Sequence, residues 1–387
     1  MSGSRKKSII CLIISFIIGC AATAGASALI FNGAFGYVKV SKTDYEQMER
    51  VYAKYGKLES LYQNLDEYYY KDISEEDLIT GACKGLVAGL NDPYSSYMTA
   101  EEYDSWKASA TGNYSGIGVT FTQDNTGYII IDVQEGSPAD KGGLEEGDYI
   151  ISVDGKAYDD MELMANNIRG KAGTTVEITY YHNGKEKTSS FLRKSIVQES
   201  VSYKMIDENT GYIQITGFLE STADDFHNAL KTIEKNGAEN LVLDVRDNGG
   251  GLVDSCIDIA DEFLDKGVVT YVEDKNKNRK DYMAEDGKTE LETVVLVNEN
   301  SASASEILAA ALQDNDVKIV GMKTYGKGVI QSTSELSDGS ALKLTVMQYF
   351  SPDGNAVNKK GIKPDYVVEN EEDSDEDEQL EKALSLF

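Results

Sequence analysis

From Ser202 onward the chain alternates short β-branched runs with helix-periodic ones, and this alternation constrains the fold more than any other feature. Strands are predicted at Gly211 to Ile215, Leu241 to Val245, Thr293 to Val297, Lys318 to Val320 and Leu342 to Tyr349. Helices are predicted between them at Ala223 to Asn236, Leu252 to Leu264 and Glu306 to Gln313. Elements taken in this order bury their apolar faces by layering helices on a sheet, so an α/β layered core is expected.

Two loops of that core carry reactive side chains. Ser301-Ala-Ser-Ala-Ser305 runs into an apolar helix, and Thr324-Tyr-Gly-Lys-Gly-Val-Ile-Gln331 sets Lys327 between two glycines. Together they offer a hydroxyl nucleophile and an amine base. Ser303 and Glu306 also stand in the S-x-x-E spacing of a capping box, which needs no catalysis. The histidine count favours chemistry by lysine. A Ser-His-Asp hydrolase needs an imidazole base, and the chain has only His182, in a hairpin turn, and His227, in a predicted helix. Lysine serves as a base when desolvation lowers its pKa from about 10.4, and Gly326 and Gly328 leave room for close packing around Lys327. Gln331 lies four residues beyond Lys327. That even spacing is expected to keep both side chains on one face of the following strand.

An ordered set of blocks now carries a resemblance. Asp92-Pro-Tyr-Ser-Ser-Tyr97, Gly116-Ile-Gly-Val119, Ser137-Pro-Ala139 with Gly147-Asp-Tyr-Ile150, Gly211-Tyr-Ile-Gln-Ile215, Asp244-Val-Arg-Asp-Asn-Gly-Gly-Gly251, the serine and lysine stretches and Gly361-Ile-Lys-Pro-Asp365 follow one another from about Tyr45 to Val368. This segment resembles the carboxy-terminal processing, or tail-specific, proteases, with a PDZ domain inserted before the catalytic core. The resemblance selects Ser303 over Ser301 and Ser305 as nucleophile. It also implies an oxyanion hole formed by the Gly250 and Ala304 N–H groups. Gly249 stands where many relatives carry proline, which leaves that loop freer.

Residues Gly112 to Val197 read as a compact unit of short strands and one or two helices. Strand character surrounds a turn at Asp124-Asn-Thr-Gly127, Tyr149 to Val153 is extended, Asp160 to Arg169 is helical, and Thr175 to Tyr181 pairs with Thr188 to Leu192 across Asn183-Gly184. The resemblance makes this the PDZ domain, with Gly116, Ile117, Gly118 and Val119 as the loop whose N–H groups capture a peptide carboxylate. Arg169, at the end of its helix, is a candidate for contact with a carboxylate or with the core, and equally reads as a solvated cation at a helix end.

Ahead of these units, Arg5-Lys-Lys7 precedes an almost charge-free run from Ser8 to Phe31, long enough to cross a hydrocarbon core of about 30 Å. A single-pass anchor with its basic end inside is expected, although Ala26-Ser-Ala28 also fits a signal peptidase site and Ile17-Ile-Gly-Cys20 a lipoprotein box. Each reading puts the body outside the cytoplasm. Apolar and aromatic residues recur three or four apart at Tyr45, Met48, Tyr52, Tyr55, Leu58, Tyr62, Leu65 and Tyr69, the pattern of an amphipathic helix. Its stripe either covers the chain's own core or, as the resemblance implies, forms a homodimer. A second helix is expected from Glu75 to Leu90, capped by Ser74.

Composition removes several function classes. Against 37 Lys+Arg stand 66 Asp+Glu, a net charge of −29, which repels phosphate backbones and argues against nucleic-acid binding. Four cysteines, two of them in the first apolar run, make no disulfide framework, and no metal-binding spacing occurs; neither cofactor nor metal is expected. The domains read as 1–35 anchor or signal segment, 36–111 helical segment, 112–197 PDZ domain, 198–368 protease core and 369–387 acidic tail, the last expected to be solvated. The reading is an extracytoplasmic, membrane-anchored serine endopeptidase with a Ser303/Lys327 centre assisted by Gln331, acting on proteins or peptides with apolar C-termini. The competing readings are a non-catalytic PDZ scaffold and a crotonase-like acyl-transfer enzyme, both weakened by the joint presence of serine, lysine, glutamine and a peptide-binding insertion.

Overall fold

The computed structural model describes residues 2–31, 40–124, 126–285, 287–371 and 376–387. They fall into two compact units, Met1–Ala82 and Cys83–Phe387. In the first, α1 spans Ser2–Phe31 and α2 spans Lys42–Tyr68, where the Ser41 hydroxyl caps the helix by accepting the Asp44 N–H at 3.1 Å. A third helix, α3 (Glu75–Ala88), begins behind Ser74, whose Oγ accepts the Asp77 N–H at 3.2 Å. No residue of α2 is buried. Its stripe is therefore not core; Met48, Tyr55, Leu58 and Leu65 instead line an open apolar groove of about 980 Å³ with Leu78 and Ile79. The anchor expected over 8–31 falls partly outside the described side chains, which here cover 11–27. Among the described residues no helix is long and apolar enough to cross a membrane.

The second unit opens with β1 (Ser96–Met98) and α4 (Ala100–Thr111), a helix started by a complete capping box between Thr99 and Glu102. Next, β2 (Asn113–Gly116) leads into a five-stranded antiparallel sheet made of β3 (Val119–Gln123), β4 (Tyr128–Val133), β5 (Tyr149–Val153), β6 (Thr175–His182) and β7 (Lys185–Leu192), paired in that order. The short helix α5 (Pro138–Lys141) and the longer α6 (Met161–Ile168) accompany it. Ile130, Val153, Met164, Val176, Ile178, Tyr180 and Phe191 form its core. Both residues of the predicted Asn183-Gly184 turn have positive φ, 51° and 75°, as a two-residue hairpin of this twist requires. The chain leaves by β8 (Lys194–Val197), antiparallel to β2.

The remaining elements are β9 (Val201–Met205), β10 (Thr210–Ile215), α7 (Thr222–Lys235), β11 (Asn240–Asp244), α8 (Val253–Asp261), β12 (Gly267–Asp274), β13 (Arg279–Ala284), β14 (Glu292–Val297), α9 (Ala304–Gln313), β15 (Lys318–Gly321), β16 (Val329–Glu335), β17 (Ala341–Phe350), β18 (Tyr366–Val367) and α10 (Glu378–Leu384). A six-stranded sheet has the order β18-β15-β14-β11-β10-β9, parallel throughout except at β9. The expected strand at Leu342 to Tyr349 forms as β17 but in a different sheet. That antiparallel sheet has β1 and β12 paired with β17, β13 on β12, and β16 also on β17.

The central strands β11 and β14 read as unbroken apolar runs because they are covered on both faces. Leu241, Leu243, Val245, Val295 and Val297 pack with α7, α8 and α9 on one side. Val242, Val294, Leu296 and Val320 point the other way, onto Leu380, Ala383, Leu384, Leu386 and Phe387. This corrects the expected solvated tail: residues 372–375 lie outside the described residues, but 376–387 fold, and α10 covers the second face of the sheet. The acidic run hid a short amphipathic helix.

Candidate active site

The two reactive loops meet where α9 begins. Of the three serines, Ser301 and Ser305 are wholly buried and their hydroxyls are committed to the Val245 and Asn248 carbonyl oxygens, each at 2.8 Å. Ser303 alone is partly exposed, and among the described residues its hydroxyl donates to no carbonyl oxygen as those of Ser301 and Ser305 do. Its backbone stands at φ 56°, ψ −112°, a conformation that costs a non-glycine residue about 1–3 kcal/mol and persists only when its surroundings impose it. Here the Ser303 N–H donates to Glu306 Oε2 at 3.0 Å, while its carbonyl oxygen accepts the N–H groups of Glu306 (2.9 Å) and Ile307 (3.0 Å) and the Tyr349 hydroxyl (3.0 Å).

Glu306 is the residue that sequence reasoning undervalued. The capping spacing is real, yet its wholly buried carboxylate does more than cap. Oε1 accepts the Thr324 hydroxyl at 2.6 Å and the Gly326 N–H at 2.7 Å, and Oε2 accepts the Lys327 N–H at 2.8 Å as well as that of Ser303. One carboxylate thus joins the nucleophile loop to the lysine loop. An ionised group at zero exposure is tolerable only with such a set of donors. The readable signal was a lone acid in a helix whose every neighbour, from Ala304 to Leu312, is buried. Tyr349, from β17, adds a second tie: its hydroxyl lies 2.6 Å from the Lys327 carbonyl oxygen as well as 3.0 Å from that of Ser303.

The glycines flanking Lys327 do allow close packing. A Cβ on Gly328 would lie 2.1 Å from the Asn358 nitrogen, and one on Gly326 would lie 3.1 Å from the Gly361 nitrogen. Thr324 and Ile362 exchange bonds with this segment, which gives the Gly361-Ile-Lys-Pro-Asp365 block its place. The Lys327 amine sits 5.0 Å from the centre of the Tyr94 ring. Burial, then the neighbouring Lys343 charge, lowers its pKa from the ordinary lysine value, with Glu306 opposing. Among the described residues no hydrogen bond joins Lys327 Nζ to Ser303 Oγ.

Gln331 departs from expectation. The Gln331 amide donates to Thr345 Oγ1 at 3.1 Å, and among the described residues no hydrogen bond joins it to the Lys327 amine; opposite it β17 carries the extra residue of a bulge, Ile330 pairing with Met347 and Gln331 with Thr345. Thr345 in turn donates its N–H to Ser95 Oγ (3.0 Å), whose hydroxyl bonds Asp92 (2.5 Å). The Asp92-Pro-Tyr-Ser-Ser-Tyr97 block therefore lines the site through Tyr94 and Ser95, a role the sequence did not disclose.

Gly250 packs against the loop that carries Ser303. It has φ 101°, and a Cβ there would fall 2.7 Å from Ser303 Cβ and 3.0 Å from the Ala304 nitrogen. Its N–H, however, donates to Asn248 Oδ1 at 2.8 Å, in a turn fixed by Asn248 Nδ2 on the Ile215 carbonyl oxygen at 2.9 Å. The Ala304 N–H, at the first turn of α9, has no acceptor among the described residues. His182 and His227 pair with Asp148 and Glu262, as elements of the PDZ sheet and of α7.

In the PDZ unit, Gly116, Ile117, Gly118 and Val119 form one end of a groove of about 1030 Å³ between β3 and α6, lined further by Phe121, Met161, Ala165, Ile168 and Arg169. The carbonyl oxygens of Ile117 and Gly118 are held by the Ala139 N–H (2.8 Å) and the Gln134 N–H (3.1 Å). Their own N–H groups meet no acceptor among the described residues.

With this geometry in view, residues 209–368 match peptidase family S41, 115–191 match a PDZ domain and 18–102 match the activating protease CtpB N-terminal domain. The chain is 39% identical over 323 residues to the carboxy-terminal processing protease CtpA of Bacillus subtilis, covering 82% of this chain and 69% of that protein. The chain belongs to the carboxy-terminal processing proteases. To a probable CtpA-like serine protease of Staphylococcus aureus (strain N315) the protease is 34% identical over 363 residues, 92% of this chain and 72% of the relative. Among solved structures it is similar to the photosystem II D1 C-terminal processing protease, at 29% identity and a TM-score of 0.51, covering 81% of this chain and 86% of the other.

Proposed function

We propose that this protease is an extracytoplasmic serine endopeptidase, held at the cell membrane by its first apolar segment, that recruits substrate C-termini through its PDZ groove and cleaves with Ser303 and Lys327. The observation carrying this reading is the contrast among three serines: two buried with committed hydroxyls, and one strained, accessible and tied through Glu306 to a desolvated lysine. In the reaction, the neutral Lys327 amine takes the Ser303 proton as Oγ attacks the scissile carbonyl, then returns a proton to the leaving amine; water repeats the cycle on the acyl-enzyme. The Ala304 N–H receives the oxyanion. Gly250 joins it once its N–H leaves Asn248, and Gln331 orients the amine once its amide leaves Thr345. A peptide entering the PDZ groove adds as a strand beside β3, its carboxylate on the Ile117 and Gly118 N–H groups and its apolar last residue among Phe121, Ala165 and Ile168. Arg169 is assigned to contact with the core.

The exposed groove of α2 and α3 is assigned to a second copy of this chain, and sedimentation of the full chain in detergent tests that dimer. For the chemistry, the full chain is incubated with an unstructured protein ending in apolar residues. Ser303→Ala and Lys327→Ala are each expected to lower kcat/KM by about 10⁴ or more. Ser301→Ala and Ser305→Ala keep much of the activity. Normal turnover by Ser303→Ala ends the assignment.

A further inference from the structure

The geometry points to the C-terminal segment 376–387 as a positioning element of the active site, acting through Arg246 on the loop that carries Gly250. The inference rests on the oxyanion reading of Gly250 and Ala304 given above.

Arg246 follows Val245, just past the end of β11, and is the first of the loop Arg246-Asp-Asn-Gly-Gly250. Its guanidinium is gripped from two sides. Nε bonds both oxygens of Asp244 at 3.0 Å, and one terminal nitrogen bonds Asp244 Oδ2 at 2.6 Å; Asp244 is itself wholly buried. From the other side, Asp377 accepts both terminal nitrogens at 2.9 Å each, and Gln379 Oε1 accepts one of them at 3.0 Å. One terminal nitrogen, Nη1, therefore has its acceptors in the C-terminal segment alone. That segment is firmly placed: Asp377 Oδ1 caps α10 by accepting the Leu380 N–H at 3.0 Å, and Gln379 Nε2 donates to the Val368 carbonyl oxygen at 2.8 Å. Behind them, α10 seals the sheet face of Val242, Val294 and Leu296.

Beyond Arg246 the loop is tied directly to the nucleophile. Asp247, at φ 58°, accepts the side-chain amides of Asn298 and Asn300 at 2.8 Å each, and the Asn248 carbonyl oxygen accepts the Ala302 N–H at 3.0 Å and the Ser305 hydroxyl at 2.8 Å. Removing the Asp377 carboxylate strips Nη1 of one acceptor and the other terminal nitrogen of one of its two. A partly buried guanidinium short of acceptors turns towards water and leaves Asp244 without its counter-charge, so the loop that begins at Arg246 shifts. Substrate binding in the PDZ groove does not use this loop. The consequence falls on turnover, since displacements of about 1 Å in catalytic geometry cost about 100-fold in rate.

The test uses the full chain and counts competent enzyme by titration with a serine-directed phosphonate, so that kcat is expressed per reactive Ser303. Asp377→Ala is expected to lower this kcat by about 100-fold, with KM for the tailed protein substrate within about twofold of wild type. Asp377→Glu restores most of it. A purely structural tail predicts fewer titratable sites but an unchanged kcat per site, and that result overturns the proposal, as does an equal loss in Asp377→Glu. Should Asp377→Ala not fold, Gln379→Ala removes one Nη1 acceptor alone; a kcat per site equal to wild type then overturns it. Ser303→Ala runs in parallel, so a failure of the Ser/Lys reading shows itself separately, as activity where none is expected.

Discussion

Two glycine loops in this molecule, which the proposed function assigns to holding a negative oxygen, stand in different states. In the PDZ loop, Ile117 and Gly118 have their carbonyl oxygens tied down and their N–H groups open. The loop ending at Gly250 has its N–H already occupied by the Asn248 side chain. On the proposed reading one site is ready for a carboxylate that arrives fully charged. The other, on that reading, would face a charge that exists only during reaction, and its second donor would have to leave an internal acceptor to meet it. Binding and chemistry thus draw on the same backbone device with different degrees of preparation.

Several substitutions break or sharpen this contrast. The largest effect is expected at Glu306, which belongs to the catalytic loops only. Glu306→Gln keeps the shape but replaces a charged acceptor with a neutral amide that has a single acceptor oxygen for four donors. It should lower stability by about 2–3 kcal/mol, followed by thermal unfolding, and kcat by about 100-fold. C-terminal peptide binding to the PDZ groove should remain as in wild type, and a parallel loss of peptide binding would erase the distinction between the two loops.

Gly118→Val addresses the open loop. At φ 81° a side chain is strained, and its Cβ would stand 2.4 Å from Ser137 Cβ. Affinity for a C-terminal peptide, read by fluorescence anisotropy, should fall by about tenfold or more. The rate on a short substrate lacking a recognised tail should hold. Equal losses on both substrates would show that the two loops do not act separately.

A smaller effect concerns the lysine. Because burial and then the Lys343 charge lower the Lys327 pKa, the neutral base forms at lower pH than for an ordinary lysine, and kcat/KM should rise with pH through that titration. Lys343→Met removes the neighbouring cation and so raises the Lys327 pKa. The rising limb of the pH–rate profile should move to higher pH, with the plateau unchanged. A limb that stays put or moves down would remove Lys343 from the account.

Local pattern made much of this molecule readable. Lone β-branched runs gave β5, β10 and β14 nearly to the residue, and Asn183-Gly184 gave its hairpin, because in each case the chemistry that decides the structure lies within a few neighbouring residues. What stayed hidden depends on distant partners. The second sheet joins β1 to β17, some 245 positions apart, and nothing local announces that pairing. The Gln331 amide meets Thr345 of β17, a partner that spacing along the chain does not show. Glu306 and Asp377 looked like a cap and a solvated acid because their further partners, Lys327 and Arg246, come from other parts of the chain. The tail was legible in one respect: β11 and β14 are apolar on both faces, so something had to cover the second.

The stem of the PDZ unit has its own consequence. The chain enters along β2 and leaves along β8, and these strands run side by side, with the Gln198 N–H returning to the Gly112 carbonyl oxygen at 3.1 Å. Entry and exit share a single doorway, so the path of the polypeptide through the catalytic body is indifferent to what hangs beyond it. A different recognition module with closely spaced ends can be grafted at this doorway without lengthening or redirecting the host. If the PDZ unit recruits substrate as proposed, substrate choice would be free to change by exchange of a part while the catalytic body is inherited intact.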